Sequence, residues 1–373
     1  MKVISIVGTR PEIIRLSRVM AALDRYVEHI IIHTGQNYDY ELNEIFFDDL
    51  EIRKPDIFLN AVGESAAETI GNVISKSDKI LREEKPDAVL ILGDTNSCLS
   101  AISAKRLKIP VFHMEAGNRC FDFRVPEEIN RRIVDHVSDI NMPYSTISRD
   151  YLISEGIDPA RIVKTGSPMY EVLCHYMDKI KSSKSLAEFD VEEGKYILVS
   201  SHREENIDFP EQFDKLINML NWFAASYNEK VIVSTHPRTR KMMETKGVTL
   251  NKNVVLNKPL GFCDYVNLQM KARVVLSDSG TISEESSILN FPALNIRNAH
   301  ERPEANEEGT VIMTGLELDV IKDAMKVLDY QKRGKERTLR QVEDYSMPNV
   351  SEKVVRIILG YTGYTNRTIW HKQ

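Results

Sequence analysis

"VISIVGTRPEIIRLS", residues 3–17, carries the signals that decide the architecture. Val3, Ile4, Ile6 and Val7 form a β-branched run without polar alternation, the pattern of a strand buried on both faces of a parallel sheet. Gly8 breaks that run. Thr9 with Glu12 three residues later fits a capping box, Pro11 suits a first helical turn, and Ile13, Leu16, Val19, Met20 and Leu23 recur at helical spacing. The stretch therefore predicts a strand, a turn and a helix. Arg10 and Arg15 stand at the start of that helix, where the macrodipole disfavours cations. Free N–H groups at such an end attract phosphate, and arginine forks would add donors for its oxygens. The alternative is a solvated helix face made by Arg15 and Arg18.

Outward from this stretch the alternation repeats. "HIIIHTG" (29–35), "DAVLILGD" (87–94) and "IPVFHMEAG" (109–117) are each followed by a helical pattern, as in stacked βαβ units. After "ARIVKTGSP" (160–168) a charged, mostly helical stretch leads to "KYILVSSHREEN" (195–206), and alternation resumes with "KVIVSTHP", "VVLNKPL" and "RVVLSDSG". We expect an α/β protein of two doubly wound domains, 1–168 and 169–354. The tail 355–373, with Trp370 and two tyrosines, is expected to pack back on the first domain. Ligands of such folds bind at the carboxyl ends of the strands, here in a cleft between the domains.

Composition bounds the function. A chain of 373 residues, 42% hydrophobic and 28% charged, has room for two domains. A net charge of -6 argues against a non-specific nucleic-acid binder. Cys98, Cys120, Cys174 and Cys263 show no paired spacing and suit a reducing compartment better than disulfides or a zinc site. The apolar stretch after Lys2 is interrupted by "TRPE", so no signal peptide is expected, and no stretch is long enough to span a bilayer. A cytoplasmic enzyme is the default expectation.

Polar residues collect at the expected strand ends: "GTR" (8–10), "GDTNS" (93–97), "HMEAGNR" (113–119), "SSHREEN" (200–206), "THPRTR" (235–240) and "SDSGTISEE" (277–285). Singly, each has a plain reading. Asp94 could cap a helix, and His113 and Glu115, at i and i+2 of a strand, could form a buried hydrogen-bonded pair. Glu127 and Glu128 after Pro126 suit a helix start, and His202 could be a satisfied core histidine. On one sheet edge, however, such groups suit general acid and base work. In "SDSGTISEE" a strand ends and Ser279, Gly280 and Thr281 enter a helix, where hydroxyl and N–H groups can hold phosphate. No G-x-G-x-x-G follows a strand and no Walker lysine is present, so a tightly bound dinucleotide is not expected. A diphosphate held between Arg10 and Arg15 on one side and Ser279 and Gly280 on the other is preferred.

In order and spacing, "GTRPE", "GDTNS", "HMEAGNR", "PEEINRR", "SSHREEN", "SDSGTISEE" and "ERPEA" resemble the non-hydrolysing UDP-N-acetylglucosamine 2-epimerases, from residue 3 to about 310. The resemblance implies a GT-B architecture, a homodimer, no cofactor, and inversion of C2 of a UDP-sugar through elimination and re-addition of UDP. Carried over by motif, Asp94, Glu115, Glu127 and His202 would be catalytic. Arg10, Arg15, Arg131, His236, Ser279, Gly280, Thr281, Glu285 and Arg302 would bind the UDP-sugar, with no metal. The chain departs from the family at Arg15, where Lys is usual, at Thr281, where a second Gly is usual, and at Asn37, where His is usual. These differences, with "NRCFDFRVPEE" and "HPRTRK", look most like the branch that makes UDP-N-acetyl-L-fucosamine from UDP-2-acetamido-2,6-dideoxy-L-talose for capsule and O-antigen. Some members are regulated by a second UDP-sugar through the "TGQ" segment, which Asn37 alters. From "NRCFDFR", Cys120, Phe121 or Phe123 would line an apolar pocket near C6 of the sugar, or else pack beneath the loop. A GT-B glycosyltransferase is the rival of another class, and a nucleotide-sugar sensor a third.

Overall fold

The computed structural model describes residues 1–35, 47, 49–201, 203–207, 209–235, 239–240, 242–243, 246–297 and 302–372. The chain forms two compact units, Met1–His175 with Glu343–Gln373, and Tyr176–Val342. The sequence reading put the division at 168 and the return at 355. The first unit in fact keeps the start of the helix Met169–Ser182, because Glu171 accepts the Ser351 N–H at 2.8 Å. It recovers the chain from Asp344, which accepts the Thr146 N–H at 3.1 Å and pairs with Lys164 at 2.7 Å.

In the first unit the described strands are β1 (Lys2–Val7), β2 (Glu28–His33), β3 (Ile57–Phe58), β4 (Ala88–Leu92), β5 (Val111–Met114) and β6 (Ile140–Met142). They form one parallel sheet in the order β3-β2-β1-β4-β5-β6. Its helices include α1 (Arg10–Tyr26), α2 (Ala66–Glu84), α3 (Ala101–Arg106), α4 (Pro126–Val137) and α5 (Thr146–Ser154). Ile4, Ile6, Ile32, Val89, Ile91 and Val111 project from the sheet into a core completed by Val73, Leu81, Leu99 and Val134. Burial from both sides is why these strands read as unbroken apolar runs. The returning α6 (Val350–Thr368) packs on α1, where the Tyr26 hydroxyl donates to Glu352 at 3.1 Å. Beyond it, Trp370 lies under the Lys105 ammonium, 4.9 Å from the ring centre.

The second unit repeats the design. Its strands β7 (Tyr196–Ser200), β8 (Lys230–Ser234), β9 (Val254–Asn257), β10 (Val274–Ser277), β11 (Ala293–Asn295) and β12 (Ile312–Met313) are parallel, in the order β12-β11-β10-β7-β8-β9. Counted within the unit, this is the Rossmann order of the first sheet. Helices α7 (Pro210–Tyr227), α8 (Phe262–Lys271), α9 (Thr281–Leu289) and α10 (Leu318–Leu328) flank it. Phe213, Leu216, Leu220 and Phe223 of α7 and Ile321 and Met325 of α10 pack together on one face. Phe291 and Leu268 are in the cluster on the other face.

Candidate active site

In each doubly wound sheet the order reverses at one gap, between β1 and β4 and between β10 and β7, and ligands of this fold bind beyond that gap. A buried carboxylate braces the loops there in both units. In the first it is Glu12, 2% exposed. Its Oε2 accepts the N–H groups of Gly8 and Thr9, each at 2.6 Å, and its Oε1 accepts the Thr95 hydroxyl at 2.8 Å and the Ser97 hydroxyl. Burial raises its pKa above the ordinary carboxylate range, against the pull of those hydrogen bonds. The turn after β1, which delivers Arg10, is thus tied to the turn after β4, which delivers Asp94. In the second unit the brace is Asp278, whose Oδ2 accepts the Ser201 hydroxyl at 2.9 Å, the Arg203 N–H at 3.0 Å and the Asn206 amide at 3.1 Å. It ties the end of β10 to the residues on either side of position 202.

Two further carboxylates of the first unit are each met by an arginine from a helix. Arg15, 6% exposed, donates from Nη1 to Glu115 Oε2 at 2.6 Å, and Asn118 donates to Glu115 Oε1 at 3.2 Å. The solvated-face reading of Arg15 is thereby corrected: its second-turn position turns it inward toward the end of β5. Arg131 Nη2 lies 2.7 Å from Asp94 Oδ2. The helix-cap reading of Asp94 also falls, since Thr95 occupies the cap of the short turn Asn96–Ser100. Glu127 is half-buried in the first turn of α4.

His113 and Glu115 are both buried and hydrogen-bonded, as one reading of their spacing has it, His113 to the Gly93 carbonyl and Glu115 to Arg15 and Asn118. The strand stops at Met114 and Glu115 turns to φ +64°, so the alternation that would put both on one face ends between them. Behind Asp94 a run of alternating charges continues through α4 and α5. Arg131 contacts Glu128 at 3.3 Å, Arg132 pairs with Glu128 at 2.9 Å and with Glu155 at 3.0 Å, and Arg119 joins Glu155 at 2.5 Å to Asp135 at 2.7 Å. Glu128 stood out in the sequence only beside Glu127 as a helix-start acid, and Arg119 and Asp135 were not singled out as site residues. The Arg119 pairs join residues 16 and 36 positions apart, while Glu128 meets Arg131 and Arg132 within its own helix.

In the loop after Asn118 the two phenylalanines are exposed rather than packed beneath it. Cys120 donates its thiol to Glu128 at 3.3 Å, and burial pushes its pKa up to about 11. Phe121 and Phe123 flank the Arg132 guanidinium at 5.7 and 5.5 Å. In the second unit Ser279 and Thr281 share a hydrogen bond of 3.0 Å between hydroxyls at the start of α9, and Gly280 between them is right-handed at φ −63°. Glu285, in the same helix, accepts the Gln269 amide at 2.6 Å. Arg302 lies 3.5 Å from the neighbouring Glu284. His202, His236 and Asn37 lie outside the described residues. Among the described residues no cluster of three or more His, Cys, Asp or Glu could hold a metal ion, and no helix is long and apolar enough to cross a membrane.

Residues 21–359 match the family described as UDP-N-acetylglucosamine 2-epimerase. The chain is similar to the structure of UDP-N-acetylglucosamine 2-epimerase from Rickettsia bellii, at 50% identity, a TM-score of 0.94 and full coverage of both chains. It is also similar to the Methanocaldococcus jannaschii UDP-GlcNAc 2-epimerase solved with UDP-GlcNAc and UDP, at 32% identity and a TM-score of 0.89, covering 96% of this chain and 100% of that one. A UDP-N-acetylglucosamine 2-epimerase homolog from Methanococcus maripaludis is 39% identical over 84% of this chain and 89% of its own length. These likenesses carry the GT-B class expected for the two Rossmann-like units, and with that fold and those relatives the chain belongs to the UDP-N-acetylglucosamine 2-epimerase family of isomerases.

Proposed function

We propose that the protein inverts C2 of a UDP-2-acetamido sugar by eliminating UDP and adding it back. A base removes the C2 proton while the C1–O bond to the diphosphate breaks, which leaves a C1–C2 double bond in a 2-acetamidoglycal. Re-addition forms the C1–O bond again as a proton reaches C2 from the opposite face. The C2 proton is weakly acidic, so the step needs a placed base, a second acid and a stabilised leaving group. The observation that supports this most is the pair of arginine-held carboxylates at adjacent strand ends, Asp94 on Arg131 at 2.7 Å and Glu115 on Arg15 at 2.6 Å. Each pairing places a guanidinium against the carboxylate, with an aligned hydrogen bond at Glu115. In this reading Asp94, Glu115, Glu127 and His202 handle protons. Arg10, Arg15, Arg131, His236, Ser279, Gly280, Thr281, Glu285 and Arg302 hold the UDP-sugar, and no cofactor takes part. The two sets serve one substrate, in a cytoplasmic homodimer.

For the sugar we propose UDP-2-acetamido-2,6-dideoxy-L-talose, converted to UDP-N-acetyl-L-fucosamine for capsule or O-antigen. Phe121 and Phe123 support it: at 62% and 67% exposed, they give the loop before Glu127 an apolar surface suited to a C6 methyl. UDP-N-acetylglucosamine is the second reading, favoured by the names of the similar proteins. An apolar pocket rejects an added hydroxyl by only about a hundredfold, so the two sugars must be compared directly. Side-by-side assays without any acceptor should give the higher kcat/KM for the 6-deoxy sugar. An equal or higher value for UDP-N-acetylglucosamine reverses the order, and an unchanged pool of both points to a glycosyltransferase.

A further inference from the structure

His113 is fully buried, and its contacts constrain its protons. Nε2 lies 2.8 Å from the carbonyl oxygen of Gly93, and Nδ1 lies 3.0 Å from Asp135 Oδ1. A carbonyl only accepts, so the Gly93 contact is a hydrogen bond only if Nε2 carries a proton; Nδ1 is not aimed at Asp135 for a hydrogen bond, and the contact with that carboxylate is an ion pair only if the ring is charged. Asp135 is held ionised from other sides. Its oxygens accept the Gly117 N–H at 3.2 Å and Arg119 Nη1 at 2.7 Å. A neutral ring would take from the buried Asp135 carboxylate one of the two cations beside it, in a place sealed from water where a buried charge needs compensation.

We propose that His113 is a standing imidazolium that positions Asp94, so that it serves catalysis without touching substrate. Gly93, at φ +73°, is gripped twice by β5: its N–H donates to the Met114 carbonyl at 3.0 Å and its carbonyl accepts from the His113 ring. Asp94 follows directly, and the direction of its carboxylate toward Arg131 depends on how that peptide is set. The groups facing the ring agree. Asp135 comes from α4 and Asp94 from the end of β4, Asn141 on β6 does not titrate, and Arg119 is the opposing cation. The Cys98 thiol nearby is pushed up by burial and stays neutral. Burial pulls the ring's pKa down, yet Asp135 outweighs it and the net shift is upward. The role rests on the reading of Asp94 as catalytic.

The test combines protonation with kinetics on the full-length enzyme. In wild-type protein with nitrogen-15-labelled histidine, the His113 resonances, assigned by their loss in His113→Gln, should show two protonated ring nitrogens at pH 7.5. A single protonated nitrogen overturns the proposal. Asp135→Asn should lower kcat by about tenfold or more, leave UDP affinity within about twofold, and move the alkaline limb of the kcat profile to lower pH. The limb moves that way because a raised histidine pKa holds the working form below it and loses it as pH rises through it. An unmoved limb, or kcat and UDP binding falling together with thermal stability, reduces His113 to a structural residue. A wild-type protein that epimerises no UDP-sugar defeats the Asp94 reading and this role with it, whereas an active enzyme with a neutral ring defeats this proposal alone.

Discussion

At Glu12 a single side chain joins the start of α1 to the turn after β4, and all of its partners are donors. Replacement by Gln keeps an acceptor for the Gly8 and Thr9 N–H groups, and the new amide can donate to the Thr95 and Ser97 hydroxyls, which can rotate to accept. Glu12→Gln should therefore stay within about 1 kcal/mol of wild type, while Glu12→Ala leaves buried donors unmet and should cost about 3 kcal/mol in denaturant unfolding. Equal losses in the two variants would show that the carboxylate is not a brace. Arg15 makes a second case. Its removal takes a cation from the buried Glu115, so Arg15→Ala should destabilise by roughly 3 kcal/mol and lower kcat. Arg15→Lys, a point charge in place of a fork, should recover stability better than activity. Full recovery of kcat by Lys would count against a need for the guanidinium's geometry.

Among the elements, the connection from β5 to α4 carries most of the first unit's site. Gly117 within it sits at φ +82°, and a Cβ there would collide with the Ser148 carbonyl oxygen, backbone that cannot move aside. Gly117→Ala should cost more than about 3 kcal/mol or yield no folded protein, and a stable, active variant would show that the close approach is dispensable. β2 gives the pH prediction. The His33 ring stacks on Phe58 at 5.0 Å, its Nδ1 accepts the Gly35 N–H at 3.0 Å, and burial lowers its pKa to about 4. A depressed histidine contributes stability that is present above its unfolded value and lost as pH falls toward the folded one. Thermal stability should decline between about pH 6.5 and 4, less steeply in His33→Gln; parallel curves would remove His33 as a source. The longer buried strands were legible because burial on both faces leaves unbroken apolar runs. β3, β6, β11 and β12, of two or three residues each, are too short to show a period and form only because a neighbour offers a ladder. Strand-end motifs likewise pointed to Asp94, Glu115 and Ser279. Asp135 gave no signal and Asp278 lay in "SDSGTISEE" without a role of its own, since their partners Arg119 and Ser201 are 16 and 77 residues away, and Glu128 showed only as a helix-start acid.

At the scale of the whole chain, two copies of one topology each place a buried carboxylate across the gap where strand order reverses, Glu12 in one and Asp278 in the other. The first copy is completed only when the chain returns. Ser351 on Glu171 and Lys353 on the Thr165 carbonyl hold α6 in place, with Ile358 and Val354 buried beneath it. Ending the chain at Val342 should leave the first unit unable to fold, seen as loss of soluble protein or of a cooperative transition. A truncated protein that melts like the full chain would show α6 to be an accessory. The chemistry itself is tested most directly by turnover in D2O. Incubated there with either candidate UDP-sugar and no acceptor, the enzyme should give an epimerised product carrying deuterium at C2, because the proton removed by the base exchanges with water before another is delivered. Epimerised product with ordinary hydrogen at C2 would contradict elimination and re-addition of UDP.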